Sequence, residues 1–376
     1  MIKRLKIQNF KSIREAEIDL ERFTVFVGPN ASGKTSILQA VQHLSWATAP
    51  STDPGRLLDF DLQALGRRGS DVPLLIEGEG SWDGVPGHLM LEADAATDAF
   101  QAKGEFGGEE VIQVTRKKPS VERQGSPDTV RSIWRGGRFL QLDARLLAEP
   151  SVPQGSEPAI ESDGTGLTSV LAQMALNQPD EFVGLVATVQ AVIPLLQRIR
   201  FKLIDIKRWE NETITIDGEA LQRKVRRQYT GYQMLLDMVG APDLPASSAS
   251  EGTLLVLGLI AAIMTPGRPN LILLDDLDRG LHPKAQRELI AQLRRFLERF
   301  PDLQILATSH SPFLINQMKP EEVRLTTTRP DGSTRCAPLT SHPDFEEWKD
   351  AMRPGEFWSN VGEGWVKALE PASDNA

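Results

Sequence analysis

The residues best suited to chemistry form a glycine-rich loop between an apolar run and an amphipathic stretch. Residues 28–35 read GPNASGKT and fit the pattern G-x-x-x-x-G-K-[ST] completely. In this pattern the backbone N–H groups surround phosphates, the lysine reaches the β- and γ-phosphates, and the last hydroxyl binds Mg²⁺. The loop predicts a nucleotide-phosphate site with Lys34 on the phosphates and Thr35 on the metal. Its predicted contacts are Asn30, Ala31, Ser32, Gly33, Lys34, Thr35 and Ser36.

Two adjacent carboxylates follow a second apolar run. Residues 271–274 are all Leu or Ile, and Asp275 and Asp276 come next. Ligands of open α/β sheets bind at the carboxyl ends of strands, so Asp275 is placed to hold Mg²⁺. Asp276 could then orient or deprotonate an attacking water. The alternative is an acid-rich helix start that the helix dipole stabilises.

Two polar turns could complete the site. Ser250 and Gly252 precede an almost wholly apolar helix, where they are either ordinary capping residues or a second anion site. His310 follows an apolar strand and could hydrogen-bond a γ-phosphate or the attacking water, although a lone histidine there is often structural. Because one helix separates its strand from the acidic strand, we expect His310 to lie close to Asp276.

The surrounding elements alternate between strand and helix. Strand-like runs cover 5–10, 16–20 and 23–27, and a helical pattern follows Thr35. Residues 46–137 read as strands and loops. Further on, helices at 167–176, 181–197, 253–264 and 283–300 alternate with strands at 201–206, 213–216, 270–274 and 304–308. This order predicts an α/β sheet with parallel strands. The predicted organisation is an ATPase-type lobe from 1–150 and 246–330, a helical second lobe at 151–245, and a cap at 331–376.

Composition and charge limit the classes of function. The chain has 376 residues with a net charge of −9 and a single cysteine, which excludes an intrachain disulfide. Its longest apolar stretch, 254–264, is too short to span a bilayer, and no signal-peptide pattern opens the sequence. We therefore expect a cytoplasmic protein without a membrane segment. Nucleic acid could be contacted only by a local basic cluster, of which the densest is Arg223, Lys224, Arg226 and Arg227; such clusters also occur on solvated helix faces.

The order of these motifs resembles the ATP-binding-cassette class of ATPases. Residues 7–12 (IQNFKS) and the phosphate loop look like the branch that holds RecF, the SMC proteins and the overcoming-lysogenization-defect (OLD) nucleases. Residues 280–283 (GLHP) and 309–312 (SHSP) are most similar to stand-alone AAA family ATPases close to OLD. The resemblance covers 1–41 and 246–316 well and the middle loosely. It implies a P-loop fold of the cassette type, with a mixed sheet, flanking helices and a helical second lobe. No long coiled coil and no TOPRIM nuclease domain are expected.

The resemblance also implies a mechanism. Two subunits would enclose two ATP molecules head to tail, and Ser250 and Gly252 of one would complete the site of the other. ATP and Mg²⁺ are the implied cofactors, with Lys34, Asp276 and His310 as catalytic residues and Thr35 and Asp275 on the metal. Most members of the class carry Glu at the position of Asp276, so hydrolysis is expected to be slow or to need a partner that tightens the site.

Three hypotheses remain open at this stage. The first is an ATPase that acts as a nucleotide-gated dimer in anti-phage defence or DNA repair, together with a separately encoded effector. The second is an interaction scaffold that ATP closes with negligible turnover. The third is a RecF-like protein whose affinity for DNA is controlled by ATP.

Overall fold

A computed structural model describes residues 1–49, 61–70, 72–117, 120–125, 134–153, 159–216, 219–265 and 267–368. They form two compact units. One comprises Met1–Phe139 and Pro269–Ala376, and the other comprises Leu140–Arg268.

The strands follow the chain in this order: β1 Ile2–Phe10, β2 Ile13–Asp19, β3 Phe23–Val27, β4 Leu74–Trp82, β5 Val85–Asp94, β6 Ala99–Phe106, β7 Glu109–Lys117, β8 Ser120–Gly125, β9 Gly137–Leu140, β10 Leu196–Ile216, β11 Glu219–Met238, β12 Ala241–Pro245, β13 Leu271–Leu274, β14 Gln304–Thr308, β15 Val323–Thr328 and β16 Thr334–Pro338. The α-helices are α1 Lys34–Thr48, α2 Leu62–Leu65, α3 Ala144–Ala148, α4 Leu167–Asn177, α5 Pro179–Val192, α6 Glu251–Met264, α7 Pro283–Arg299, α8 Pro312–Ile315, α9 Phe345–Trp348 and α10 Pro354–Val361.

A six-stranded sheet in the first unit positions the phosphate loop. Its strand order is β16-β15-β3-β14-β13-β9, and neighbouring strands from β15 to β13 run parallel. Every residue of β3, β13 and β14 is buried, as expected for strands covered on both faces. Because these strands are parallel, the loops that follow their carboxyl ends meet at one edge of the sheet.

A second sheet packs against the other side of α1. Its order is β2-β1-β4-β5-β6-β7-β8, with antiparallel pairs throughout. The stretch 46–137, which the sequence describes only as strands and loops, supplies the meander β4–β8. Helix α1 contacts strands of both sheets. Its residues Ile37, Leu38, Val41 and Leu44 are fully buried in one hydrophobic core with side chains from each sheet.

The second unit combines helices with a long β-hairpin. Helix α6 contacts α3, α4 and α5, and most of its residues are buried. Strands β10 and β11 pair antiparallel from Leu196↔Met238 to Ile216↔Glu219, and β12 adds a short third strand. The two separate strands predicted at 201–206 and 213–216 are therefore parts of one strand. The hairpin stands beside the helices that were predicted for this lobe.

The predicted α/β sheet with parallel strands is confirmed, but the unit boundaries differ from those predicted. Residues 140–150 and 246–268 belong to the second unit, because α6 buries its apolar surface against the helices of that unit. Residues 331–368 do not form a separate cap: β16 pairs with β15 in the main sheet, and Trp348 and Phe357 are buried. Residues 369–376 of the predicted cap lie outside the described residues. In the described parts of the chain, no helix is long and apolar enough to cross a membrane.

Candidate nucleotide site

The phosphate loop connects the buried strand β3 to helix α1. Gly28 and Gly33 have φ values of +148° and +96°, and Ala31 between them has a φ of +62°. A side chain at Gly28 would collide with the backbone oxygen of Thr326, and one at Gly33 would collide with Thr334. Positive φ values and close packing therefore both require glycine at these two positions. The resulting turn leads into the N-terminus of α1, where the N–H groups of the first turn have no acceptor within the helix.

The remaining loop residues differ in their exposure to solvent. Asn30 and Ala31 are exposed at the tip, whereas Ser32 is buried. The hydroxyls of Ser32 and Thr326 share a hydrogen bond of 2.6 Å. One side of the loop is thus fixed to β15, while its tip faces solvent.

Lys34 is almost completely buried, with 6% of its surface exposed. Its Nζ donates to the carbonyl oxygens of Gly28 and Pro29 at 3.0 and 2.8 Å. Burial lowers the pKa of this amine, while Asp276 and Asp275 oppose the shift. The ammonium group thus lies against the phosphate loop itself. An anionic phosphate oxygen would be a stronger acceptor for it than these carbonyl oxygens.

Asp275 lies between two threonine hydroxyls. Oγ1 of Thr35 approaches its two carboxylate oxygens at 3.1 and 3.0 Å. Oγ1 of Thr308 donates to Oδ1 of Asp275 at 2.7 Å and accepts the backbone N–H of Asp276 at 2.8 Å. The ends of β13 and β14 and the start of α1 therefore converge on one carboxylate.

This oxygen arrangement fits Mg²⁺. Two ligands at right angles on an octahedral Mg²⁺ lie about 3 Å apart, because each Mg–O distance is about 2.1 Å. The separation of Thr35 Oγ1 from the Asp275 oxygens is 3.0 to 3.1 Å. A hydroxyl and a carboxylate are also the protein ligands that Mg²⁺ accepts beside phosphate oxygens and waters.

Asp276 and His310 lie next to each other at the edge of this site. Nε2 of His310 is 3.8 Å from Oδ1 of Asp276, and both side chains are partly exposed, at 39% and 53%. Asp276 adopts a left-handed conformation with a φ of +53°. Burial and then the adjacent Asp275 raise the pKa of Asp276, against the opposing charge of His310. The backbone N–H of His310 donates to Asp278 at 3.1 Å, which fixes the turn that carries the imidazole.

Ser250 and Gly252 lie in the second unit, at the start of α6. Ser250 is the N-cap, and its Oγ accepts from the N–H of Thr253 at 3.3 Å. The hydroxyls of Ser250 and Thr253 are 2.7 Å apart. Ser250 is exposed and Gly252 is buried. The capping interpretation is thus realised, and the hydroxyl remains accessible from solvent.

The basic cluster Arg223, Lys224, Arg226 and Arg227 lies on strand β11, so it does not occupy a helix face. All four side chains are exposed. Alternation along a strand sends Lys224 and Arg226 to one face of the hairpin and Arg223 and Arg227 to the other.

Sequence reasoning missed the threonines that support the site. Thr308 stood in the strand-end motif with His310, so its position offered a signal. Thr326 and Thr334 gave none, because each lies nearly 300 residues from the loop it contacts and is placed there by the pairing of β15 with β3 and β16. The hydroxyl of Thr334 also bonds that of Ser12 at 2.8 Å.

The fold and the site define an ATP-binding P-loop ATPase of the ATP-binding-cassette type, in the branch of RecF, SMC and OLD proteins. Residues 23–316 match the family model described as "AAA domain, putative AbiEii toxin, Type IV TA system". Because this span is well over half of the chain, the protein belongs to that family.

Curated relatives match shorter segments. The chain is 35% identical over 109 residues to the DNA replication and repair protein RecF of Proteus mirabilis (strain HI4320), covering 24% of this chain and 30% of RecF. It is 44% identical over 65 residues to the OLD nuclease of Thermus scotoductus (strain ATCC 700910 / SA-01), covering 16% of this chain and 12% of the nuclease. The chain thus spans less than a third of the length of either relative.

Solved structures agree on the fold. An SMC head bound to the C-winged helix domain of ScpA superposes with a TM-score of 0.57 at 12% identity, covering 92% of this chain and 99% of that one. An SMC head with an extended coiled coil, bound to the C-terminal domain of ScpA from Pyrococcus furiosus, gives a TM-score of 0.55 at 11% identity, covering 93% and 98%. At such identities the likeness shows the architecture alone.

Proposed function

We propose that this protein hydrolyses ATP with Mg²⁺ and works as a head-to-tail dimer that nucleotide closes and hydrolysis opens. The observation that carries the proposal is the convergence of Thr35, Asp275 and Thr308 beside the phosphate loop, with Asp276 and His310 at its open edge. This arrangement supplies a metal site, a phosphate cradle and a candidate base in one place.

Each residue has a role in this proposal. The loop from Asn30 to Ser36 supplies backbone N–H groups to the phosphates, and Lys34 supplies positive charge where negative charge develops. Thr35 and Asp275 would hold Mg²⁺, which neutralises phosphate charge when bound. Asp276 accepts the proton of the attacking water, and the raised pKa of its carboxyl makes it a better proton acceptor than an ordinary aspartate.

His310 acts through its contact with Asp276. At 3.8 Å the imidazole is close enough for its orientation to depend on the position and charge of that carboxylate. Because both groups are partly exposed, a water and a terminal phosphate can approach them from the open edge of the site. We propose that His310 helps to align the water and reports the presence of the γ-phosphate.

In the proposed dimer, the start of α6 serves as a second anion site. A capping serine at an exposed helix start offers a hydroxyl and the backbone N–H groups of the first helical turn to a phosphate of a second molecule. In the proposed dimer, Ser250 and Gly252 of each subunit complete the site built by the phosphate loop of the other. Turnover then depends on protein concentration.

The first test is steady-state ATP hydrolysis across a range of protein concentrations for the wild type, Lys34→Ala and Asp276→Asn. We expect the specific activity of the wild type to rise with concentration and both variants to lose turnover. Wild-type protein that binds ATP and dimerises without turnover would contradict hydrolysis by this chain alone. It would instead support the ATP-gated scaffold, for which the short side chain of Asp276 is the supporting observation.

A mixing experiment tests the shared site directly. Lys34→Ala damages the loop of its own subunit, and Ser250→Arg damages only the site of its partner. A heterodimer of the two inactive variants contains one intact composite site, so an equal mixture should recover about a quarter of wild-type activity. Each inactive variant measured alone at the same total concentration is the control. Absence of any recovery would argue against sites completed in trans.

The proposed cellular role is DNA repair or anti-phage defence with a separately encoded effector. The RecF match supports the first, and the description of the matched family together with the OLD match supports the second. Deleting the gene and measuring survival after DNA damage and after phage challenge separates the two roles.

A second candidate function is ATP-controlled binding of nucleic acid, which the basic cluster on β11 supports. Arg223, Lys224, Arg226 and Arg227 are all exposed in a chain whose net charge is −9. Binding that depends on ATP and weakens with salt is expected, and neutralising the four residues should remove it. Absence of binding at low salt would exclude this function.

A further inference from the structure

The outer part of the β10–β11 hairpin is a two-stranded ribbon. The third strand, β12, pairs only with the end of β11, at residues 235–238. Farther out, from the pair Asp205↔Thr230 onward, β10 and β11 pair only with each other among the residues that the structure places. On one face the described residues of this part are exposed, whereas on the other face most are half-buried. Such a ribbon gains little stability by itself and is suited to contact a partner.

The two faces of this ribbon differ in charge, and we name them by their central residues. The glutamate face carries Arg208, Arg223 and Arg227 with Glu210 and Glu212. Arg227 is 2.9 Å from Glu212 and 3.5 Å from Glu210, and the hydroxyl of Tyr229 donates to Glu210 at 2.5 Å. The positive charge of Arg227 is therefore offset on the protein itself.

The tryptophan face carries Lys207, Trp209, Lys224 and Arg226. Trp209 lies directly opposite Arg226, while Lys207 and Lys224 occupy the neighbouring positions of the same face. Directly opposed, diagonal and same-strand neighbours place each of the three cations within about 8 Å of Trp209. Among the described side chains, none of the three cations has an ion-pair partner. The nearest carboxylate on this face is Asp205, which lies nearer the base of the ribbon.

Trp209 is not part of the core formed by the described residues. It is 67% exposed, and Leu203 on the same face is 62% exposed. Toward the base of the hairpin the same face becomes core, where Met234 and Leu236 are fully buried. The same side-chain alternation continues into the outer part of the ribbon, where it exposes the indole of Trp209 to solvent.

We infer that the tryptophan face binds single-stranded nucleic acid, with an unpaired base stacked on Trp209 and phosphates bound by Lys207, Lys224 and Arg226. An exposed aromatic ring surrounded by unpaired cations matches a polyanion that carries planar rings. A duplex hides its base faces, so it could use the cations but not the indole. The inference rests on the nucleic-acid role proposed above and names its ligand and its surface.

The test measures binding of the full chain to a fluorescent oligothymidylate of about 20 nucleotides and to a duplex of the same length, by anisotropy over a range of salt. We expect tighter binding of the single strand. Trp209→Ala should weaken it roughly 5- to 100-fold, and Trp209→Phe should restore most of the loss because stacking needs only an aromatic ring.

Two matched double variants distinguish binding by the tryptophan face from nonspecific attraction to positive charge anywhere on the ribbon. Lys224→Gln with Arg226→Gln and Arg223→Gln with Arg227→Gln each remove two positive charges from the same strand. The first pair should weaken binding strongly and reduce the salt dependence by about 1.4 in logarithmic slope. The second pair should stay within about two-fold of the wild type, because Arg227 is already paired with glutamates.

Three results would overturn the inference: equal losses in the two double variants, wild-type affinity in Trp209→Ala, or a duplex bound as tightly as the single strand. ATP hydrolysis is measured on the same preparations. This measurement tests the proposed ATPase separately from the proposed nucleic-acid surface. Trp209→Ala should hydrolyse ATP at the basal rate of the wild type. Lost turnover with intact oligonucleotide binding would count against the ATPase alone.

Discussion

The hydroxyl of Thr308, the last residue of β14, donates a 2.7 Å hydrogen bond to Oδ1 of Asp275, the first residue after β13. The hydroxyl oxygen of Thr308 in turn accepts the backbone N–H of Asp276 at 2.8 Å. One buried threonine therefore orients the candidate metal ligand and fixes the backbone of the candidate base. Neighbouring parallel strands make this contact, because their carboxyl ends stop at the same level of the sheet.

Replacing Thr308 with valine should raise the requirement for Mg²⁺. Valine preserves the shape but removes one of the two hydroxyls that donate to the Asp275 carboxylate, while Thr35 remains. Loss of a hydrogen bond to a charged group should require roughly 10-fold more Mg²⁺ for half-maximal turnover. Thr308→Ser keeps the hydroxyl and is the control. A magnesium titration of hydrolysis checks the result, and an unchanged titration in Thr308→Val would remove Thr308 from the site.

Asp276→Asn should make the protein more stable at neutral pH while lowering turnover about 100-fold or more. Burial and Asp275 raise the pKa of Asp276 above its unfolded value, so the ionised carboxyl disfavours the folded state. The favourable contribution of the protonated form is complete below the unfolded pKa and is lost as pH rises through the folded pKa. Asparagine also tolerates the φ of +53°.

The measurement for Asp276 is the Tm of both proteins at pH 7.5 and at pH 4. We expect the variant to have the higher Tm at pH 7.5 and the difference to shrink at pH 4, where the wild-type carboxyl takes up a proton. A stabilisation of equal size at both values would show that charge is not its cause.

Thr326→Val should weaken ATP binding about 5- to 10-fold without touching the nucleotide. The substitution removes the 2.6 Å bond to Ser32, a residue that is only 1% exposed and whose hydroxyl would lose that partner. The phosphate loop then loses its anchor on β15. Isothermal titration with ATP measures the change, and Thr328→Val, two residues further along the same strand, is the control. Equal affinities in both variants would contradict the anchoring role.

Arg294→Met should destabilise the ATPase unit by about 3 kcal/mol. Arg294 forms two hydrogen bonds with Glu322, at 2.7 and 2.9 Å, and only 10% of the glutamate side chain is exposed. Removal of the guanidinium leaves a buried carboxylate without its counter-charge. Urea unfolding measures the loss, and Arg295→Met, at the exposed neighbouring position, should change the free energy of unfolding by less than about 0.5 kcal/mol.

Much of the ATPase unit could be predicted because the sequence patterns that mark its strands extend over only a few neighbouring residues. β3 at Phe23–Val27 and β14 at Gln304–Thr308 have the predicted bounds, since each is a continuous apolar run closed by polar residues or glycine. The hairpin strands were harder to predict. β10 alternates weakly over 21 residues and is mostly solvated, so its hydrophobic pattern marks only pieces of it.

The sequence by itself determined the phosphate loop, the paired acids and the strands and helices directly beside them, because these depend on residues close together in the chain. Tertiary structure alone decided which distant residues support the loop. It also assigned the all-apolar helix α6 to the second unit and divided one basic run between two unlike faces. The physical reason is that backbone pairing and strand alternation bring together residues up to about 300 positions apart, as with Ser32 and Thr326, and no local pattern records such a pairing.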